Sequence, residues 1–251
     1  MPAKIRSLKE LLALQPPVTK YLIEPEILSV GGSMVIYGEA ETWKSWLTID
    51  MAFALAHGKN WLVFPTKKSR VLIIQSEQTE FMYRDRILSW TASHNTWTPE
   101  SEVFFRSEVD FKLDLPLSWG LLRGELELLR PDVMVLDNLR RCISGAISED
   151  SVKRITDLIA RSQSHFNTAW VIVHHTRKEK EDGEDKGPQE MAGSAVLRDW
   201  ADTILKSVPY LRGSSSDVID LVFQKNRNSV KMRPPDLRVT ALRAGPTFTI
   251  I

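Results

Sequence analysis

The stretch Ser33-Met34-Val35-Ile36-Tyr37-Gly38-Glu39-Ala40-Glu41-Thr42-Trp43-Lys44-Ser45-Trp46-Leu47 decides how the rest of the chain is read. Its first five residues have strand composition and run into Gly38. From Lys44 to His57 the apolar positions Leu47, Met51, Ala54 and Leu55 recur at helical spacing. Between strand and helix, the phosphate-loop pattern G-x-x-x-x-G-K-[ST] is met at Gly38, Lys44 and Ser45. Its second glycine is replaced by Trp43. Such a loop wraps phosphates with backbone N–H groups, reaches the outer phosphates with the lysine and offers a hydroxyl to Mg²⁺. Glycine at the sixth place lets the backbone come close, so Trp43 must turn its indole away. Glu39 and Glu41 repel phosphates unless they point outward. A plain strand-to-helix turn with a solvated Lys44 fits the same residues, and the loop alone leaves both readings open.

Working outward, residues 7–14 predict a short amphipathic helix, ended by Pro16-Pro17, and residues 21–29 a connecting arm. Strands are predicted at 33–37, 70–75, around 103–105, at 133–136 and at 169–173. Helices are predicted at 44–57, 80–92, 119–129, 149–166 and 193–200. The alternation of helices with continuous apolar strands predicts an α/β fold with a parallel sheet covered on both faces. Three late strands, at 203–208, 217–225 and 238–241, lie close together in sequence and are expected to be antiparallel. There are no repeats. Residues 177–190 hold four basic and six acidic side chains with Gly183, Gly187 and Pro188, and read as a mobile loop.

With 251 residues the chain has the length of one domain with a large core. A formal net charge of +1 predicts no general attraction to nucleic acid or membrane. The one cysteine, Cys142, excludes a disulfide framework and thiolate metal sites. The first fifteen residues lack the apolar core of a signal peptide, and no apolar run approaches the ~20 residues that span a bilayer. A cytoplasmic protein without membrane contact is the expectation.

Four further signals bear on the loop. Asp137 follows four apolar residues, where a carboxylate can hold Mg²⁺; alone, it reads better as a helix cap or turn residue. Glu77 ends the strand after the loop's helix and could orient or deprotonate an attacking water; alone, it reads equally as a solvated acid. His174 and His175 end the strand after Asp137, at the carboxyl edge where parallel sheets bind ligands; a buried core histidine is the other reading. Lys225 and Arg227 are two apart on a late strand, so they project to one side and could clamp phosphates; a basic edge that blocks aggregation is the plainer account.

Together these residues resemble the RepA-like branch of the RecA-type P-loop ATPases, relatives of the hexameric DnaB helicases. The resemblance covers about residues 20–230 and rests on order: Gly31-Gly32, the loop, Ser76-Glu77, Leu136-Asp137-Asn138-Leu139, His174-His175-Thr176-Arg177-Lys178, Gly193-Ser194-Ala195, Asp199-Trp200-Ala201-Asp202 and Lys225-Asn226-Arg227-Asn228. It implies a RecA-like core over residues 31–251, with a mainly parallel twisted sheet, helices on both faces and antiparallel late strands, preceded by a helix and arm over 1–30. It implies ATP and Mg²⁺ as ligands. The nucleotide would lie on Gly38, Glu39, Ala40, Glu41, Thr42, Trp43, Lys44, Ser45 and Trp46, with Ser45 and Asp137 on the metal. Glu77 would be the catalytic carboxylate, and His174 or His175 would sense the γ-phosphate. Lys225 and Arg227 would act on a neighbouring subunit's nucleotide. The branch tolerates an aromatic at the second glycine, so Trp43 fits within it. Arg140, Arg141, Arg177 and Lys178 fall in loops that face DNA in RecA-type motors, although the second loop is net acidic here.

The expected function is an ATP-driven, ring-forming motor on single-stranded DNA in replication of a plasmid, phage or mobile element. It would be a homo-oligomer, with a hexamer as the family's form, and would meet other replication or recombination proteins. The alternative is a non-motor nucleotide-binding module with little or no hydrolysis. A small-molecule kinase would need an Arg-rich lid, which the acidic 177–190 segment does not supply.

Overall fold

The computed structural model describes residues 5–15, 20–94, 98, 100–176, 194–210, 217–229, 233–241 and 247–251. Its elements in chain order are α1 (Leu8–Leu12), β1 (Tyr21–Ile23), β2 (Leu28–Ser29), β3 (Ser33–Gly38), α2 (Lys44–His57), β4 (Val71–Gln75), α3 (Glu80–Ser93) and β5 (Val103–Ser107). They continue with α4 (Pro116–Leu129), β6 (Val133–Asp137), α5 (Glu149–Phe166), β7 (Ala169–His175), α6 (Ser194–Trp200), β8 (Thr203–Pro209), β9 (Val218–Asn226), β10 (Leu237–Ala241) and β11 (Phe248–Ile250).

Nine strands form one sheet in the order β11-β10-β9-β8-β3-β7-β6-β4-β5. The six from β8 to β5 run parallel, while β9, β10 and β11 are antiparallel, as their short connections predict. Every residue of β3, β4 and β6 is buried, which is why these strands read as unbroken apolar runs. One face packs α2 and α3 through Leu47, Met51, Leu55 and Tyr83. The other packs α4, α5 and α6 through Leu122, Leu126, Ile155, Ile159 and Leu197. The chain leaves β3 for β4 across the positions filled later by β7 and β6, so a crevice opens at the carboxyl edge beside β3.

The helix ends follow local chemistry. Ser148 and Ser151 form a reciprocal cap at the start of α5, and Asn167 closes that helix in the left-handed conformation. Helix α4 begins at Pro116, one turn before the predicted Trp119, because proline suits a first helical position. The arm at 21–29 is a small antiparallel pair whose Leu22, Ile23, Ile27 and Leu28 join the core under α2. Strand β11 was not predicted; three residues are too few to show a period.

Candidate nucleotide-binding site

The loop is built around a close approach. A Cβ on Gly38 would sit 2.2 Å from the carbonyl oxygen of Ser207 on β8 and 3.0 Å from Thr42 Oγ1. The neighbouring strand therefore demands glycine here before any ligand is considered. Thr42 Oγ1 donates to the Glu39 carbonyl at 2.9 Å, and Ser207 Oγ donates to the Thr42 carbonyl at 2.6 Å. The Lys44 ammonium donates to the Glu39 carbonyl and, at 3.1 Å, to Thr42 Oγ1. Burial lowers the Lys44 pKa to about 8, against the opposing pull of Asp137, Glu77 and Glu39.

Trp43 has φ 62° and ψ 9°, the left-handed conformation in which glycine is at ease. The residue is thus unusual for the backbone it occupies, not for the path of the loop. Its indole stands edge-on to Phe248 of β11, with ring centroids 6.3 Å apart, and packs against the core beneath α2. No side chain caps the fourteen-residue α2, and its first turn carries no acid. Its exposed N–H groups and dipole favour an anion at that end.

A cavity of about 740 Å³ opens beside this helix start, between the loop from Ala40 to Trp46 and the side chains of Glu77, Arg86, Val173 and His175. Asp137 and Gln75 are paired neighbours at the ends of β6 and β4. The Gln75 side chain fixes the turn into α3: its Oε1 accepts from the Glu77 and Gln78 amides at 3.2 and 2.9 Å. Asn138, joined to Asp137 by a cis peptide bond, gives its Nδ2 to Glu77 Oε1 at 2.6 Å, with His175 Nε2 2.9 Å away. Burial and the Lys44 charge pull the His175 imidazole below its ordinary pKa, while Glu77 pulls the other way.

Asp137 is buried, and that burial pushes its carboxyl up, against a hydrogen bond from the Ser45 hydroxyl. A buried carboxylate beside a hydroxyl at the mouth of an anion-favouring helix fits an oxygen-preferring divalent cation shared with phosphates. Among the described residues no cluster of three or more His, Cys, Asp or Glu could hold a metal by itself. Any metal here would therefore depend on ligand oxygens as well.

The two histidines separate by strand alternation. Val173 and His175 face the cavity, whereas His174, wholly buried, sits opposite Tyr37 on the side where Trp170 and Ile172 pack. His174 is corrected from candidate ligand to interior residue. Gly38 and Glu39 shape the loop without lining the cavity. Arg140 and Arg141 are exposed after β6, with Arg140 donating to the Gly145 carbonyl at 3.0 Å. Arg177 and Lys178 lie outside the described residues. Two site residues escaped the sequence reading, Arg86 and Asn138. Arg86 lines the cavity from α3, with its guanidinium 5.2 Å from the Trp46 ring centroid.

Lys225 and Arg227 do project together, toward the end of α6. The Lys225 ammonium donates to the Arg198 carbonyl and the Arg227 guanidinium to the Asp199 carbonyl, with Asp202 Oδ1 at 3.5 Å from Arg227. They do not reach the loop of their own chain. Asn226 pairs with Thr203, which pairs with Met34, while Gly38 pairs with Ser207. The basic tip is therefore four residues down the strands, roughly 13 Å, and two strands over, about 10 Å, from the end of β3.

This arrangement of strand, loop, helix, buried aspartate and edge glutamate is a P-loop ATPase domain with a RecA-like α/β core. A family profile described as an AAA domain matches residues 2–181, and the chain belongs to that family. Among solved structures it is similar to an isolated ATPase domain, with a TM-score of 0.64 and 14% identity over 88% of this chain and 84% of that one. At that identity the likeness is one of fold. No curated protein matches the chain.

Proposed function

We propose that this chain is the ATPase subunit of a RepA-type, ring-forming motor acting on single-stranded DNA. The observation that carries the reading is the division of parts. A phosphate cradle faces a Glu77–Asn138–His175 cluster across the cavity, and a Lys225/Arg227 tip lies too far away to serve its own chain. The likeness to a solved ATPase domain of a similar span supports it.

In this reading the Lys44 ammonium and the loop amides hold the outer phosphates of ATP, and Ser45 and Asp137 hold Mg²⁺. Bound with ATP, the ion would neutralise charge that develops on the phosphates. Glu77 orients a water and accepts its proton, held at the right angle by Asn138. His175, within reach of both, registers the γ-phosphate and passes its presence toward the segment after β7. The arginine and lysine of a neighbouring subunit complete the site. A trans arginine can be worth ~10³–10⁵ in rate.

The test is steady-state ATP hydrolysis by wild type, Lys44→Ala and Arg227→Ala across protein concentration, with and without single-stranded DNA. Specific activity that climbs with concentration, and collapses in both variants, is expected. Undiminished hydrolysis by Lys44→Ala would remove the site, and wild-type rates for assembled Arg227→Ala would remove the trans role.

One observation favours the second reading, a binding module without turnover. The Lys44 ammonium is engaged by its own loop, at the Glu39 carbonyl and Thr42. Saturable ATP binding with no hydrolysis at high concentration and with DNA present would select it.

A further inference from the structure

The basic tip and the phosphate-binding strand are joined through the interior. In the antiparallel pairing of β8 with β9, Ile204 stands opposite Lys225 but Leu205 stands opposite Phe223. Gln224 is the extra residue between them, a β-bulge. Bulges break the two-residue alternation of a strand and re-aim its side chains. Before the bulge, Ile219, Leu221 and Phe223 all face the core under α2. Unbroken alternation would carry Lys225 to that same face. With the bulge, Lys225 shares the side of its partner Ile204, which packs with Leu197 and Ala201 of α6. There its ammonium meets the Arg198 carbonyl, next to the Asp199 carbonyl that receives Arg227. The bulge thus decides where the tip points.

One hydrogen bond holds the bulge from outside β9. Tyr37 is wholly buried, and its hydroxyl donates to Gln224 Oε1 across the intervening β8. Tyr37 is the residue before Gly38, and Gln224 is the residue before Lys225. Packing alone would be met by phenylalanine at position 37, so the hydroxyl's contribution is direction. It fixes a side chain at the one point where the strand has lost its ladder register.

We propose that Tyr37 and Gln224 are positioning residues, whose hydrogen bond pins the bulge in β9 and aims Lys225 and Arg227 at the nucleotide of a neighbouring subunit. The inference rests on the trans role proposed above. It assigns an interior device to that role, and it makes the strand that ends in one subunit's cradle a support for the next subunit's catalysis.

The experiment uses the full chain as Tyr37→Phe and, separately, Gln224→Leu, assembled with ATP, Mg²⁺ and single-stranded DNA. Each is expected to lose about tenfold in turnover, the scale of a sub-ångström to ångström misplacement, while nucleotide affinity stays within about twofold. Two further readouts separate positioning from damage to the fold. First, Tyr37→Phe added to Arg227→Ala should cause no additional loss, because the aim of an absent guanidinium is irrelevant. Second, mixing Tyr37→Phe subunits with Lys44→Ala subunits should restore turnover, because the former keep a sound cradle and the latter a sound tip. If Arg227→Ala is impaired and both Tyr37→Phe and Gln224→Leu turn over as wild type, the inference fails and the trans role stands. Losses that multiply with Arg227→Ala, or mixtures that do not recover, make the bond merely structural and overturn it. If Arg227→Ala itself keeps wild-type rates, the trans role and this inference fall together.

Discussion

Asn138 Nδ2 lies 2.6 Å from Glu77 Oε1 and ties the acid of one strand end to the residue that follows the buried aspartate of another. The glutamate is half-exposed, and a free carboxylate at the lip of a cavity would sample several rotamers. The amide selects one of them. Asn138→Ala should therefore slow ATP turnover about 10–100-fold while leaving nucleotide affinity close to wild type. Asn138→Asp should be worse, because a second carboxylate beside Glu77 raises its proton affinity and moves the acid limb of the pH–rate profile upward. Single-turnover rates alongside calorimetric binding measure both effects. Equal turnover in all three proteins would show that Glu77 needs no guide.

Trp43→Gly tests the loop directly. The change removes an edge-to-face contact with Phe248 worth about 1 kcal/mol. It also places glycine in a left-handed conformation that a side chain occupies at a cost of about 1 kcal/mol. These opposing effects predict a melting temperature within a few degrees of wild type and nucleotide affinity within about threefold. A tenfold loss of affinity would mean that the indole itself forms part of the ligand's contact surface.

Gly38→Ala should be far more damaging than Trp43→Gly, although both alter a loop position that the motif reserves for glycine. Its added methyl would meet the Ser207 carbonyl oxygen at 2.2 Å, and neither strand can yield without breaking the β3–β8 ladder. A loss of about 2–3 kcal/mol in urea unfolding is expected, with nucleotide binding lost as the loop shifts. Wild-type stability for Gly38→Ala would refute the close packing of β3 on β8.

Asp50 gives the protein an acid-side pH dependence unconnected with hydrolysis. It lies on α2, 3.7 Å from His94 Nε2 and near the stacked rings of Trp90 and Phe53. Burial raises its carboxyl to about 6 from 3.8. The folded chain therefore holds this proton between about pH 4 and 6, where the unfolded chain has released it. The stability it contributes is complete below the unfolded value and lost as pH rises through about 6. Asp50→Asn should flatten the fall in unfolding free energy over that window. At about pH 7.5 it should raise stability by as much as about 3 kcal/mol, at about 1.36 kcal/mol per unit. Urea titrations at about pH 4.5, 6 and 7.5 decide it, spanning the window in which the two states differ in bound protons. Parallel curves for the two proteins would place the titration elsewhere.

The legible parts of this chain were those whose signal is local. The strand into Gly38 and the helix from Lys44 to His57 show in a window of two dozen residues, and the structure agrees on both helix ends. Asp137, Glu77 and the histidines were legible as strand ends. The choice of His175 over His174 was available from strand alternation with Val171 and Val173. Arg86 was not legible. Helix α3 also carries Arg84 and Asp85 on exposed positions, and nothing in its weakly amphipathic sequence separates the arginine that turns toward Trp46 from its neighbours. Asn138 was quoted as part of a motif, but its partner Glu77 is sixty-one residues away and meets it only when β6 and β4 pair. The bulge at Gln224 depends on how β8 pairs with β9, which no run of residues within β9 records.

The separation of cradle and basic tip gives each subunit a head and a tail. Any contact that brings a tip to a cradle joins unlike surfaces, and such contacts cannot be satisfied by a two-fold axis. A dimer built this way always leaves one cradle unserved and one tip idle. Successive subunits must instead follow a single direction until the chain of contacts closes or continues as a helix. A subunit altered only at the tip would then silence its neighbour and not itself. The damage from a minority of such subunits would map the order in which subunits follow one another.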